Sequence, residues 1–210
     1  MRRYMLEFRG RWLAAVMLAA GAMLLPGHAT AADAYKTQTG SPAGTYKIDP
    51  VHSLAQFWIG HLGVSELPGR FDKISGSFTF DPAHPENSKV SVEIPVKSLD
   101  TNYARRNKDL RGPDFFNARQ FPIMKFVSTK LIMGDDNEMR LAGQLTLHGV
   151  TQPVTFNLRH VGAGPDPWGN YRSGYIASAI IRRSHFGMNY MLGGISDQVK
   201  IQLNIEGKRQ

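Results

Sequence analysis

Hydrophobic and polar residues alternate with a period of two along most of the chain beyond residue 44. Successive side chains of a β-strand point to opposite faces, so this alternation predicts strands with one buried and one solvent-facing side. The clearest segments are Ile74 to Phe80, Val90 to Val96, Leu141 to Leu147, Val154 to Leu158 and Val199 to Ile205. A strand-helix-strand repeat of about 30 residues is missing from the sequence, which argues against a parallel sheet. The pattern therefore predicts an all-β chain of eight or nine antiparallel strands.

Turn-forming residues separate these segments, for example at Asp49-Pro50, Asp81-Pro82 and residues 166–170. Gly, Pro, Asn and Asp set the backbone angles of tight connections, and short connections join neighbouring antiparallel strands. The inward positions mix small residues such as Gly143 with large ones such as Phe78. An eight-stranded barrel has an interior that side chains can fill or that one small ligand can occupy. We therefore favour a single antiparallel up-and-down β-barrel of about eight strands, with a two-sheet sandwich as the alternative.

One long segment, Thr101 to Ser128, interrupts the alternation. Loops of more than about 12–15 residues in a compact domain usually carry structure or function of their own. Residues 102–111 are predicted to form a short helix, with Asp100-Thr101 as its capping residues. Phe115 and Phe116 follow, and they either form a lid over the mouth of the barrel or plug one end as part of the core.

The N-terminal residues have the composition of a secretory signal peptide. Arginines precede an apolar run from Leu13 to Leu25, and small residues follow it, which predicts a signal peptide over residues 1–31 with cleavage near Ala31. A membrane anchor is the competing interpretation, but the run is 13 residues long and a span needs roughly 20. Residues 32–43 are predicted to be a flexible leader and residues 44–210 the barrel domain. We expect a periplasmic or secreted protein with no transmembrane segment in its mature chain.

Composition and motifs exclude several functional classes. The formal net charge is +8, but basic residues are scattered apart from Arg105 to Arg111, which resembles a solvated helix face, so no nucleic-acid partner is expected. The seven histidines lack metal-ligand spacing, and the chain contains no cysteine. Nucleophile-elbow and nucleotide-binding glycine motifs are also missing from the sequence. We therefore predict no catalytic residues, no metal site and no cofactor.

Several short motifs recur along the chain in the order of a known family: Tyr46 to Ser53, His61 to Val64, Gly69 to Phe71, Gly76 to Phe78, Asp114 to Phe116, Phe121-Pro122, Gly143 to Thr151, Arg183-Ser184, Phe186 to Met188 and Asp197 to Val199. Together they resemble the YceI-like family of exported, lipocalin-like barrels associated with polyisoprenoids and other long apolar ligands. The resemblance extends over nearly the whole chain after the leader and implies a lipocalin-like barrel. Where the family usually has Arg-Asp followed by His-Leu, this chain has Asn107 and Asp109 in place of the acid and the imidazole.

The resemblance and the strand alternation together predict the residues that line a ligand channel. They are Phe57, Ile59, Phe71, Phe78, Phe80, Val92, Ile94, Phe126, Leu145, Phe156 and Ile201, with His61 and Arg183 near the mouth. The Arg183 guanidinium is suited to a polar or anionic head group because it can bind two oxygens at once. The alternative for Arg183 is a salt bridge to Asp109 or Asp197 that closes one end of the barrel.

We expect an exported binding protein that holds a long apolar molecule, such as a polyisoprenoid, an isoprenoid quinone or a fatty-acid derivative. Its role would be transport, storage or stress response, and the expectation leaves room for a homodimer. One alternative is a hydrolase or isomerase acting on an apolar substrate, with Asp109 or His61 as acid or base. The other is a structural or stress-interaction protein whose barrel is filled by its own side chains.

Overall fold

The computed structural model describes residues 40–134 and 138–210, and their strands form one antiparallel sheet. The strands are β1 (Gly44–Ile48), β2 (Leu54–His61), β3 (Ser65–Phe71), β4 (Ser75–Phe80), β5 (Lys89–Pro95), β6 (Leu99–Asp100), β7 (Ile123–Met133), β8 (Glu138–Leu147), β9 (Val150–Pro165), β10 (Tyr171–Arg182) and β11 (Ile195–Arg209). The helix α1 (Ala104–Arg111) lies between β6 and β7, and short 3₁₀ helices occupy Pro85–Asn87, Val96–Ser98 and Arg183–Phe186. The predicted signal peptide and leader residues 32–39 lie outside the described residues.

The eleven segments make eight strands because three of the strands are bent. Each bent strand consists of two consecutive segments: β1 with β2, β3 with β4, and β5 with β6. The first bent strand pairs with β11 through both of its segments. On its other side, β2 pairs with β3 and β1 pairs with β4; β3 then pairs with β6 and β4 with β5. The remaining strands pair in chain order from β7 to β11, and β5 pairs with β7. The sheet closes where β11 meets β1 and β2. The predicted eight-stranded up-and-down barrel is thus confirmed, and the sandwich alternative is wrong.

The two ends of the barrel differ in what covers them. At one end, here called the mouth, lie the β2–β3 turn (residues 62–64), the segment between β6 and β7 (residues 101–122) and the connection between β10 and β11 (residues 183–194). At the other, here called the closed end, lie residues 40–43 and the β4–β5 and β9–β10 connections.

Aromatic rings and a small polar cluster fill the closed end. The Tyr46 ring stacks on Phe78 with centroids 4.8 Å apart, and Phe78 meets the edge of Tyr175 at 5.5 Å. Ser41, from the end of the predicted leader, is buried and hydrogen-bonds to Tyr175 at 2.8 Å and to His160 at 3.1 Å. Burial lowers the pKa of His160, which favours the neutral form of its ring at this end.

Three phenylalanines lie across glycines of other strands, two of them on the neighbouring strand and one a strand further on. A side chain at any of these glycines would overlap the ring, so the glycines let the aromatic rings lie flat against the wall of the barrel. The pairs are Phe57 over Gly69, Phe126 over Gly143 and Phe78 over Gly207. The mixture of small and large inward residues in the sequence is explained by this packing.

The barrel closes where β11 pairs with β1 and β2, a junction called the seam below. Residues 49–53 lie between β1 and β2 and form the kink of this first bent strand. At the kink, the Asp49 N–H donates to the Glu206 carbonyl at 2.8 Å, and the Glu206 N–H donates to the Ser53 hydroxyl at 3.0 Å. Arg172 of β10 donates to the carboxylates of Asp49 at 2.6 Å and Asp166 at 2.7 Å, and also to Glu206. One guanidinium therefore joins the kink, β10 and β11.

The charges at the seam depend on each other. Hydrogen bonds from His52 and Arg172 hold the pKa of Asp49 well below its usual range. Burial raises the pKa of Asp166, but hydrogen bonds from Arg172 and Asn170 outweigh it, so this pKa is also well below normal. Asp49, His52 and Glu206 bring three potential metal ligands together, but Arg172 already neutralises two of them.

The helix begins two residues later than the sequence predicts, and its predicted cap is wrong. Tyr103 occupies the N-cap position and makes no side-chain cap, whereas the Asp100 carboxylate accepts from the Asn102 N–H at 3.0 Å. The buried Asn107 binds back to the same segment: its oxygen accepts from the Thr101 N–H at 2.8 Å, and its amide donates to Asp100 at 2.9 Å. Within residues 40–134 and 138–210, no helix has the length and apolarity needed to cross a membrane.

We predict that Arg172→Met lowers the free energy of unfolding by about 2–4 kcal/mol, slightly less than removing one partner of a fully buried pair costs. Urea unfolding at neutral pH measures it. The depressed native pKa values of Asp49 and Asp166 stabilise the fold above the ordinary value of 3.8, and this contribution is lost as the pH falls below it. The difference between variant and parent should therefore shrink in acid.

Arg182→Met is the matched control, since Arg182 lies on the same strand and pairs with Asp197 at 3.3 Å on the surface. Its cost should stay below about 1 kcal/mol. Equal losses for the two variants would contradict the role given to Arg172.

Candidate ligand-binding site

A cavity of about 970 Å³ extends along the interior of the barrel to the mouth. This volume is near the upper limit of the roughly 300–1,000 Å³ typical of ligand sites, so it exceeds what imperfect packing leaves in a core. The alternative of a barrel filled by its own side chains is therefore not supported by the described residues.

All thirteen residues predicted to bind a ligand line this one cavity. They are Phe57, Ile59, His61, Phe71, Phe78, Phe80, Val92, Ile94, Phe126, Leu145, Phe156, Arg183 and Ile201. They come from β2, β3, β4, β5, β7, β8, β9 and β11, and from the start of the β10–β11 connection. The structure confirms that they face a common space, and their part in binding a ligand stays a prediction.

The middle of the cavity is lined by apolar side chains held on the regular strands. Val92 pairs across the wall with Phe126, which in turn pairs with Leu145. Phe126 meets the edge of Phe156 with centroids 5.1 Å apart. Because the strands fix these side chains by alternation, the lining is largely preformed and offers a ligand surface for apolar contact.

Phe115 and Phe116 were predicted either to cover the mouth or to plug one end of the barrel, and each takes one of these positions. Phe116 packs against Phe71 at 5.6 Å and Phe57 at 6.4 Å, so it extends the core towards the mouth. Phe115 meets the edge of Tyr190 at 5.3 Å, which joins the segment after α1 to the β10–β11 connection. Both line the cavity without filling it, so one acts as a partial plug and the other as part of the rim.

Polar side chains reach the cavity only around its mouth and at isolated points along the wall. His61, Arg106 and Asp109 lie among the lining residues at the mouth. Arg106 is held by Thr101, whose hydroxyl accepts from its Nε at 2.9 Å. Asn107 is absent from the lining, so the two positions at which this chain departs from the family differ: Asp109 faces the cavity and Asn107 is buried in the supporting loop.

Arg183 is 3% exposed and binds backbone carbonyls. Its guanidinium donates to four of them, at distances of 2.8–2.9 Å: Met188, Tyr190, Ile195 and Ser196. The alternative of a salt bridge to Asp109 or Asp197 is wrong for the described structure, in which Asp197 pairs with Arg182. A guanidinium has five N–H groups, so one is left for a ligand, and the head-group role stays a prediction.

Several residues that line the cavity were not predicted from the sequence. Tyr175 and Ile181 of β10 face the cavity, together with Met124 of β7 and Met139 of β8. The run around β10 is apolar on both faces, and Ile180 is 63% exposed, so alternation could not indicate which face is buried. The pairing of β10 with β9 and β11 decides which face of β10 is turned towards the cavity.

The enzyme alternative requires an acid and a base that converge. His61 and Asp109 both line the mouth, but in the described part of the chain no hydrogen bond or ion pair joins either one to another titratable group. The geometry therefore gives this alternative no assembled acid-base pair.

We predict that Arg183→Lys lowers the free energy of unfolding by about 3 kcal/mol, because an ammonium cannot reach four carbonyls arranged for a guanidinium and leaves buried acceptors unpaired. Limited proteolysis should then cleave within residues 184–194. A head-group role alone would instead weaken ligand binding and leave both the unfolding free energy and the cleavage pattern unchanged.

Comparison with known proteins agrees with the barrel. A UPF0312 protein of Pseudomonas aeruginosa is 45% identical over 170 residues, which cover 80% of this chain and 88% of the relative. The crystal structure of BcnA from Burkholderia cenocepacia superposes with a TM-score of 0.70 at 23% identity, over 76% of this chain and 98% of that one.

A second structure, described as a polyisoprenoid binding domain from Saccharophagus degradans implicated in plant cell wall breakdown, superposes with a TM-score of 0.61 at 17% identity. It covers 79% of this chain and 98% of that domain. At these identities the two structures establish the fold. The YceI-like domain matches residues 46–207, from β1 to the end of the seam in β11. With that match and the 45% identical relative, the chain belongs to the YceI-like family.

Proposed function

We propose that this protein binds one long apolar molecule in the barrel and carries or stores it. The observation that supports the proposal is the cavity of about 970 Å³, whose wall is mostly apolar between the closed end and the mouth. An apolar cavity of this size gains most from a ligand that removes its surface from water.

The dimensions of the barrel favour a linear ligand. A strand rises about 3.3 Å per residue, so the ten residues of β8 span roughly 33 Å. Each buried methylene contributes about 0.8 kcal/mol, so a long tail supplies affinity with few polar contacts. Selectivity for the tail is then weak, and discrimination falls to the groups at the mouth.

The mouth offers a small set of groups to a polar head. His61 and Asp109 line it, and Arg183 retains one N–H that no carbonyl occupies. A head that carries both a carbonyl and a hydroxyl oxygen matches this set, because Arg183 donates, His61 can donate or accept, and the Asp109 carboxylate accepts. We infer that the tail enters first and the head remains among these three residues.

A polyisoprenoid or isoprenoid quinone is the ligand class we propose. The Saccharophagus degradans domain of the same fold is described as polyisoprenoid binding, which supports this class for the present chain. The sequence pattern of the first 31 residues supports export, so we place the binding in the periplasm or outside the cell.

We predict that the protein, purified from the compartment to which cells deliver it, releases close to one long-chain apolar lipid per barrel on organic extraction. Mass spectrometry of the extract identifies the lipid, and quantitation against protein gives the stoichiometry. Repeated preparations that yield no lipid, or only polar molecules, would reject the proposal.

A second prediction concerns the wall of the cavity. Ala177 faces the interior between Leu158 and Leu203, so Ala177→Trp should fill part of the cavity and weaken uptake of an apolar fluorescent probe at least about tenfold. Ser178, next along β10, is exposed on the outside, so Ser178→Trp is the matched control and should leave uptake unchanged. Circular dichroism confirms that both variants fold. Equal uptake by the two would show that the ligand does not use this cavity.

A further inference from the structure

Large apolar side chains stand exposed on the two loops beside the mouth. Leu62 and Val64 belong to the β2–β3 turn, and Met191 and Leu192 belong to the β10–β11 connection. Their exposed fractions are 62%, 81%, 49% and 41% respectively. Clustered exposed apolar side chains mark interaction surfaces, whereas single ones are ordinary.

The backbone holds this pair of loops together in an unfavourable conformation. Leu62 and Met191 have φ angles of 53° and 54°, the left-handed region that glycine and asparagine adopt most easily. The Leu62 N–H donates to the Gly194 carbonyl at 2.7 Å, and the Gly194 N–H donates to the Met191 carbonyl at 3.0 Å. Met191 also lines the cavity, whereas neither burial nor backbone preference explains a leucine at position 62, whose exposed side chain is available to an apolar partner.

The neighbouring segment of the mouth is basic. Residues 101–122 contain five basic and two acidic residues. Arg105 and Arg119 are exposed, and within the described ranges neither makes an ion pair or side-chain hydrogen bond. The contact of Phe115 with Tyr190 ties this segment to the β10–β11 connection, so the apolar loops and the basic segment form one continuous rim.

We propose that this rim docks on the anionic surface of a lipid bilayer, with Leu62, Val64, Met191 and Leu192 inserted among the acyl chains. Apolar side chains that enter the interface and basic side chains that meet anionic head groups are the two contributions by which proteins bind membranes peripherally. Docking places the mouth of the cavity against the bilayer, so an apolar ligand passes between membrane and barrel without crossing water. This docking rests on the proposed function, because its use to the protein is to transfer the apolar ligand between the membrane and the cavity.

Vesicle co-sedimentation tests the docking directly. The protein is purified as cells process it, with its N-terminus read by mass spectrometry, and mixed with vesicles of phosphatidylcholine alone or of equal parts phosphatidylcholine and phosphatidylglycerol. Binding to the anionic vesicles should exceed binding to the neutral ones at low salt and fall at high salt. No binding to anionic vesicles at low salt overturns the proposal.

Variants separate the two contributions. Leu62→Asn with Leu192→Gln removes apolar surface while keeping a residue that tolerates the left-handed backbone, and should weaken vesicle binding at least about tenfold. Arg105→Gln with Arg119→Gln should weaken binding to anionic vesicles about fivefold for each charge removed. Controls at the closed end are Trp168→Gln, which removes a 76% exposed apolar ring, and Lys47→Gln with Lys208→Gln, which removes two charges.

The controls should leave vesicle binding unchanged, and a loss with the controls instead of the rim variants overturns the proposed orientation. Uptake of an apolar probe from solution, measured without vesicles, distinguishes this inference from the proposed function. Leu62 and Leu192 do not line the cavity, so their double variant should take up the probe as the parent does. A parent that binds probe but no vesicles refutes the docking alone, and one that binds vesicles but no probe refutes the proposed function.

Discussion

The closure of β11 onto the bent first strand is the constraint on which the rest of the structure depends. At this seam β11 pairs with β1 near its end and with β2 nearer its start, and residues 49–53 absorb the change of direction. Arg172 holds Asp49, Asp166 and Glu206 together across it. A barrel without this closure would expose two strand edges and lose its interior, because closing the sheet removes the edges and encloses the space.

Closure creates the interior, and the placement of aromatic rings keeps part of it open. Tyr46, Phe78 and Tyr175 pack together at the closed end, whereas Phe57, Phe71 and Phe116 group near the mouth. Between them the wall carries Phe126, which lies over Gly143 and against Phe156, together with smaller side chains such as Ala177. Most of the aromatic side chains thus lie at the ends or over a glycine, and the centre keeps a volume that a flexible apolar ligand can fill.

The strand alternation predicted the fold because each inward residue repeats at every second position, and it placed Val92, Ile94 and Leu145 on the cavity wall for the same reason. It left Tyr175 and Ile181 of β10 out of the predicted lining, because that strand carries apolar residues on both faces and its pairing with β9 and β11 decides which face is buried. It also could not show that Arg183 binds carbonyls of residues 188–196, because that contact depends on the path of an irregular connection. In such a connection the sequence shows which residue types are present, and only the tertiary structure shows which of them are in contact.

Asn107 shows how a departure from the family pattern acts through structure. Its amide group donates to the Asp100 carboxylate, while its oxygen accepts from Thr101. An aspartate at this position would bring a second carboxylate against Asp100 and lose the donor, so the asparagine removes a repulsion between like charges. Asn107 is buried away from the cavity, whereas Asp109, two residues on, faces it. The first replacement therefore stabilises the loop that positions α1, and the second puts a carboxylate at the mouth of the cavity.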